Sequence, residues 1–280
     1  MLKHNEPMSR HCSLRAGGLA QDFFLPDTLK QLQKFLQSNQ KPVLILGLGS
    51  NLLVRERGFS GVVIKLKQLN QLSQNALVVT AGAGVTLAKL SRFCDANSLN
   101  GGEFLSAIPG SVGGALMMNG GAFGAEIWQF VQSVKTINRS GAVFERQPAD
   151  FEIGYRQVLA KHTEEYFIQA KFKFSAEQKL HNIKSLLAKR RKSQPTAAAN
   201  CGSVFKNPTN PKPYFAAKLI QKSQLKGVCV GGACVSEKHA NFIINQNNAT
   251  ASDIEKLIKL IQKKVKSDSG ISLETEVVIV

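Results

Sequence analysis

A chain of 280 residues can bury a sizeable core and is long enough for two or three domains at roughly 100–200 residues each. Its 43% hydrophobic and 20% charged residues are those of a soluble globular protein, and no apolar run approaches the ~18 residues that a helical membrane span needs. The net charge of +17 raises nucleic acid as a partner, but aromatic residues do not interleave with the basic clusters as stacking platforms would, so a solvated basic surface or attraction of phosphorylated small molecules is expected instead.

The opening Met1-Leu2-Lys3-His4-Asn5-Glu6-Pro7 lacks the apolar stretch of a signal peptide, and the expected location is the cytoplasm, without membrane insertion. Cysteines 12, 94, 201, 229 and 234 form no Cys-x-x-Cys pair and no zinc-like spacing with histidine; they read as reduced thiols, with no metal site. Cys201 reads as a small buried filler.

Residues 27–38 are predicted helical, with Leu29, Leu32, Phe35 and Leu36 on one face. The strand Val43–Leu46 runs into Gly47-Leu48-Gly49-Ser50-Asn51-Leu52, which resembles the start of a dinucleotide fingerprint. Its third glycine position holds Leu52, and an apolar run at 62–64 follows where a helix is required, so the Rossmann reading fails. A strand at 76–80, a helix at 85–97 and strands at 131–137 and 166–174 follow. Eight of the 23 glycines fall within residues 101–124, a segment that cannot be regular helix or strand throughout. Such backbone is suited to close approach of something flat or charged.

A helix with Leu180, Ile183 and Leu187 on one face ends in Lys189-Arg190-Arg191-Lys192, where cations suit the helix dipole. The composition shift at 175–195 marks a domain boundary. Beyond it come a helix at 216–222, a strand with tight turns at 227–235, a strand at 241–245 and a long helix. That helix is predicted to start with a capping box at Ser252-Asp253-Ile254-Glu255 and to bury Ile254, Leu257, Ile258, Ile261 and Val265. The C-terminus, from Ile271 to Val280, alternates as a strand.

Chemistry concentrates in Cys201-Gly202-Ser203-Val204-Phe205-Lys206-Asn207-Pro208, where a hydroxyl lies between a glycine and a lysine. Together with Gly154-Tyr155-Arg156 and Leu273-Glu274-Thr275-Glu276-Val277, it suggests a serine, an arginine and a glutamate converging from three distant segments. Spacing alone leaves Glu274 and Glu276 as alternatives.

These stretches, with Ser13-Leu14-Arg15-Ala16-Gly17-Gly18, Gly47–Val54, Ala107-Ile108-Pro109-Gly110-Ser111-Val112-Gly113-Gly114, Asn119-Gly120-Gly121-Ala122-Phe123-Gly124 and Gly231–Phe242, make the chain resemble the UDP-N-acetylenolpyruvoylglucosamine reductase family nearly end to end. The short stretch between Arg156 and Gln194 leaves little room for the tyrosine-bearing loop of one branch, so the resemblance is to the shorter, second type. Val204 departs from the phenylalanine that many relatives carry there.

The resemblance implies an α+β fold: a two-lobed FAD-binding region of the vanillyl-alcohol-oxidase (PCMH) type over residues 1–70 and 71–178, then a substrate-binding α+β domain over 179–280. It implies non-covalent FAD, NADPH as hydride donor, and reduction of an enolpyruvyl ether on a nucleotide sugar to a lactyl ether. Site roles carried over by motif give Ser203 as general acid, with Arg156 and Glu276 stabilising developing charge. Gly47, Gly49, Ser50, Asn51, Pro109, Gly110, Ser111, Gly113, Gly114, Asn119, Gly121 and Ala122 are expected at the cofactor. Tyr155, Lys206, Asn207, His239 and Asn241 are expected at the substrate. A different flavin enzyme on this fold would keep the glycine loops without needing the Ser203, Arg156 and Glu276 set.

Overall fold

In the computed structural model, which describes residues 1–161, 164–177, 182–210 and 212–280, the chain forms two compact units. The first comprises Met1–Lys3, Asp22–Leu48 and Gly61–Lys189. The second comprises His4–Gln21, Gly49–Ser60 and Arg190–Val280. The N-terminal segments 4–21 and 49–60 thus fold with the C-terminal third, a discontinuous division that contiguous boundaries at 70 and 178 did not anticipate. Long-range pairing, invisible in local composition, produces it: Leu52–Leu53 forms a parallel ladder with Val278–Ile279.

The first unit is built on a five-stranded antiparallel sheet. Its order is Val143–Arg146, Val131–Asn138, Glu165–Lys173, Val78–Gly82, Leu72–Asn75. Central strands with two covered faces are largely apolar, and Tyr166, Phe167, Ile168, Ala170 and Phe172 are all buried. One core gathers Trp128, Phe151 and Phe167 with helix α2 (Leu87–Ala96) and helix α3 (Val112–Met117). A second joins Ile137 and Ile168 to helix α1 (Leu29–Ser38) and to the parallel pair Val43–Leu46 and Phe59–Lys65. Thr28 and Thr86 cap α1 and α2 by accepting from the backbone N–H three residues on, which fixes both helix starts.

In the second unit a sheet runs Ala199–Asn200, Ile243–Asn245, Ala233–Val235, Cys229–Val230, covered by helix α5 (Ala216–Lys222) and helix α6 (Ala251–Ser269). Ala251, Ile254, Leu257, Ile258, Ile261 and Val265 make the buried face of α6. Full burial of each large aliphatic side chain stabilises by about 1.5–3 kcal/mol, so this face anchors the unit.

Four expectations need correction. The α6 capping box is Thr250 with Asp253, two residues before the predicted start at Ser252, because the Thr250 hydroxyl takes the Asp253 N–H while Asp253 reaches back to the Thr250 N–H. The C-terminal alternation is real in burial, but only Val278–Ile279 is strand; upstream, Thr275 makes one isolated bridge with Phe205. Helix α4 (Ile183–Ser193) buries Leu186 and leaves Leu187 at intermediate exposure, while Leu180 lies outside the described residues. Finally, Cys229 and Cys234 are joined as a disulfide. The turn at Gly231-Gly232 sets the two residues directly opposite each other on antiparallel strands, a closeness that sequence spacing does not display. Cys12, Cys94 and Cys201 are free and buried. Among the described residues no helix is long and apolar enough to cross a membrane.

Alkylation of denatured protein should therefore modify three cysteines without reductant and all five after a dithiol, read by mass spectrometry. Five modified cysteines without reductant would show the hairpin pair to be reduced.

Candidate active site

The segment carrying Ser203 begins with a bend. Gly202 adopts a left-handed φ of +79°, and a Cβ there would meet nothing within 4 Å, so the glycine answers a conformational need and leaves open space beside its backbone. Asn200 holds the bend: its Oδ1 accepts from the Gly202 N–H at 2.9 Å, and its Nδ2 donates to the carbonyls of Ala198 and Pro195 at 2.7 and 3.1 Å. Ser203 follows at intermediate exposure.

Beyond Ser203, the backbone is laced to the C-terminal segment. The Val204 carbonyl accepts from Glu276 N–H at 2.8 Å and Val277 N–H at 3.3 Å, and Lys206 N–H donates to the Glu274 carbonyl at 2.9 Å. Glu276 is held from its other side as well, since Asn51 Nδ2 donates to its carbonyl at 2.9 Å. The second unit thereby brings the segments of Ser203 and Glu276 together. It also separates the two glutamates: the Glu274 side chain is 79% exposed and faces Lys206 Nζ at 3.6 Å, whereas Glu276 is partly buried. Burial, with lesser contributions that include the Glu276 carboxylate, pushes the Cys201 thiol up to about 12, so it stays protonated and inert as a nucleophile.

Arg156 belongs to the first unit. It occupies the two-residue turn, Tyr155-Arg156, of the hairpin Phe151–Gly154/Gln157–Ala160, with φ +55°. Its guanidinium donates to the carbonyls of Gly121 at 3.0 Å and Asn119 at 3.3 Å and packs 5.3 Å from the exposed Tyr155 ring. Asn119 is buried, also with positive φ, and its Nδ2 bridges Glu126 at 2.7 Å and the Gly154 carbonyl at 3.1 Å. Trp128 Nε1 donates to the Leu116 carbonyl at 2.8 Å and ties the end of α3 into the aromatic core. The loop that receives Arg156 is therefore fixed from below.

The predicted glycine positions divide by what surrounds them. A Cβ on Gly47 would strike Ser111 Oγ at 2.4 Å, on Gly49 the His11 carbonyl at 1.9 Å, on Gly113 the Ala83 Cβ at 2.9 Å, and on Gly121 the Ala125 carbonyl at 2.6 Å. These glycines serve packing within their own unit. At Gly114 the nearest atom would be Ser111 Oγ at 3.6 Å, and Pro109 and Gly114 are exposed. Here open backbone is available to a ligand. At Gly113 the space that a side chain would need is taken by Ala83. Ser111 is buried and accepts from Gly114 N–H at 3.4 Å, while Gly110, Ser50 and Ala122 are of intermediate exposure.

Among the remaining expected substrate residues, Asn207 accepts from the Ala216 N–H at 3.0 Å and so caps α5. His239 packs edge-on to Phe242 at 4.8 Å, and burial holds its pKa below the usual imidazole value. Asn241 is buried, and one acceptor and one donor of its amide pair with the Phe205 backbone. Sequence reasoning placed none of Asn200, Ser13 and Arg190 at the site. Ser13 Oγ, Arg190 Nε and His239 Nδ1 are buried without a hydrogen-bond partner among the described residues, the condition of atoms that await a ligand or water. Ser13 lies inside a matched motif, which was the available signal.

The chain is similar to known proteins over its whole length. Residues 194–280 match the UDP-N-acetylenolpyruvoylglucosamine reductase C-terminal domain family, and residues 21–146 match the FAD binding domain family. The chain is 49% identical to the UDP-N-acetylenolpyruvoylglucosamine reductase of Legionella pneumophila (strain Corby), over all of this chain and 92% of that one. It is 43% identical to that of Nitrosospira multiformis, over all of this chain and 88% of that one. The crystal structure of the Thermus caldophilus UDP-N-acetylenolpyruvylglucosamine reductase superposes with a TM-score of 0.82 at 27% identity, covering 100% of this chain and 98% of that one.

Paired alanine substitutions separate the two kinds of glycine. Gly113→Ala should lower stability by about 1–3 kcal/mol, seen as a lower melting temperature, because Ala83 cannot yield without moving the backbone that follows the strand Val78–Gly82. Gly114→Ala should leave the melting temperature of the flavin-free protein unchanged or slightly raised, since it lies in α3 with room for a methyl, and weaken FAD retention in equilibrium dialysis. Equal melting temperatures for both variants would contradict the division.

Proposed function

Because the chain belongs to the UDP-N-acetylenolpyruvoylglucosamine reductase family, we propose that it uses NADPH to reduce UDP-N-acetylglucosamine enolpyruvate to UDP-N-acetylmuramate, in cytoplasmic synthesis of peptidoglycan precursors. The observation that carries the reading is the backbone frame in which Val204 joins the Ser203 segment to Glu276.

The residues present suit FAD. Open glycine backbone at Gly114 and exposed Pro109 offer a surface of the kind that a flat, phosphate-bearing cofactor requires. Gly47, Gly49, Ser50, Asn51, Gly110, Ser111, Gly113, Asn119, Gly121 and Ala122 complete the proposed cofactor region, several of them by shaping the loops. When bound, FAD supplies two-electron hydride transfer, which no side chain of the chain can perform.

Net addition of H₂ across the enolpyruvyl double bond needs hydride at C3 and a proton at C2. Ser203 is the proposed proton donor to C2. A serine hydroxyl is a weak acid, so it acts on a strongly basic enolate carbon. Negative charge that builds into the substrate carboxylate is met by Arg156 directly and by Glu276, through a protonated carboxyl or its hydrogen-bond network. Fixed carbonyl partners orient the Arg156 guanidinium before substrate arrives, which lowers the reorganisation needed in the transition state. Lys206, Tyr155 and His239 are proposed substrate contacts. The Asn207 amide N–H₂ can contribute beside its capping role, because only its oxygen is committed to Ala216.

An anaerobic visible spectrum tests the reading. NADPH should bleach the flavin absorbance, and UDP-N-acetylglucosamine enolpyruvate should restore it. In Ser203→Ala the bleaching should persist at its normal rate while recovery slows by about 10²–10⁴-fold, the usual contribution of a general acid. Bleaching without recovery in the wild type would point to another acceptor, and unchanged recovery in the variant would remove Ser203 as the acid.

A further inference from the structure

The buried amide of Asn241 makes a bidentate pair with the backbone of one residue, Phe205, of the active-site segment. Its Oδ1 accepts from the Phe205 N–H at 3.0 Å, and its Nδ2 donates to the Phe205 carbonyl at 2.8 Å. Its own backbone carbonyl accepts from the Val204 N–H at 2.9 Å. On the far side the same three residues, Val204 to Lys206, are paired with Glu274, Glu276 and Val277. The side chain thus acts as a surrogate strand: it offers one acceptor and one donor on a rigid plane, as a neighbouring peptide would. Asn241 is only 4% exposed, and the loop that carries it is itself closed by Phe242 N–H to the His239 carbonyl and Ser236 N–H to the Phe242 carbonyl.

We propose that Asn241 is a positioning residue for the reduction of the enolpyruvyl group: it fixes the peptide at Phe205 and thereby holds Ser203, two residues earlier, in register with Glu276. The inference rests on the assignment of Ser203 as proton donor. No shorter or charged residue reproduces the pair. Alanine leaves the Phe205 N–H and carbonyl without their partner in a buried place. An ionised aspartate turns a second acceptor against the Phe205 carbonyl. A neutral aspartic acid has the size of asparagine and regains a donor, the carboxyl O–H. Burial and the facing carbonyl both disfavour the charged form, so the carboxyl of such a variant titrates above the ordinary aspartate range. Glu276 is the ionisable side chain on the facing segment, with Glu274 and Lys206 further out at the surface and His239 on the same loop as Asn241. Their titration is shared with the wild-type protein, which serves as the reference at every pH.

The test uses flavin-loaded protein and follows the two half-reactions separately by stopped flow between pH 6 and 8.5. For Asn241→Asp at pH 8.5, bleaching by NADPH should remain within about twofold of wild type, while recovery on the enolpyruvyl substrate slows by about 10–100-fold, the scale of a misplaced reacting group. Lowering the pH to 6 should return most of that loss relative to wild type, as the carboxyl takes up its proton. Asn241→Ala should show the same selective slowing with no pH-dependent return. In a Ser203→Ala background, Asn241→Ala should add little further slowing, because both changes act through one group. Equal loss in both half-reactions, absence of recovery at low pH in Asn241→Asp, or full additivity with Ser203→Ala would each overturn the proposal. Should Asn241→Asp not fold, the alanine variant and the double variant decide alone. Ser203→Ala by itself tests the underlying assignment: if it leaves recovery unchanged, Ser203 is not the donor and the inference falls with it, whereas selective slowing in Ser203→Ala with additive Asn241→Ala defeats only the positioning role.

Discussion

The second unit depends on the peptide group of Val204. Its N–H donates to the Asn241 carbonyl, and its carbonyl accepts from Glu276 and Val277, so one residue is held from both sides by segments that lie far away in sequence. The C-terminal segment is anchored in turn: Leu273 and Val277 are buried against the apolar face of α6, and Gln262 of that helix donates to the Leu273 carbonyl at 2.9 Å. Asn51 completes the frame at the Glu276 carbonyl. Burial of the helix face thus transmits order to two residues that have little packing of their own. A hydrogen bond contributes only about 0.5–1.5 kcal/mol net, but leaving a buried partner unmade costs about 1–3 kcal/mol, and that asymmetry makes the arrangement a single one rather than an ensemble.

The first unit solves a different problem by similar means. Arg156 is held by the backbone carbonyls of Asn119 and Gly121, which fix the direction of its guanidinium. The positive φ of both Arg156 and Asn119 is unfavourable for residues with a Cβ, and the Asn119–Glu126 and Asn119–Gly154 bonds supply the compensation.

Much of this was legible in the sequence where the signal is local. Helical periodicity located α1, α2, α5 and α6, and the failure of the Gly47–Leu52 fingerprint correctly excluded a Rossmann unit, since Leu52–Leu53 is strand. Features set by pairing at a distance were not legible. The start of α6 is a local exception: two overlapping capping-box patterns lie there, and the one at Thr250 and Asp253 forms instead of the one read at Ser252. Cys229 and Cys234 meet only once a glycine turn folds the hairpin. Gly113 and Gly114 are adjacent and identical in sequence, yet one faces Ala83 and the other faces open space. The preference for Glu276 over Glu274 came from family resemblance; in the fold Glu276 is partly buried and Glu274 is a surface partner of Lys206.

Preorganisation is the claim on which the account stands, and amide hydrogen exchange tests it most directly. In the substrate-free protein, the amides of Val204, Phe205 and Glu276 should exchange slowly, at the level of the α6 core, and addition of the nucleotide-sugar substrate should change them little. Rapid exchange that slows only when substrate is bound would contradict the account, for the frame would then be a product of binding and not its precondition.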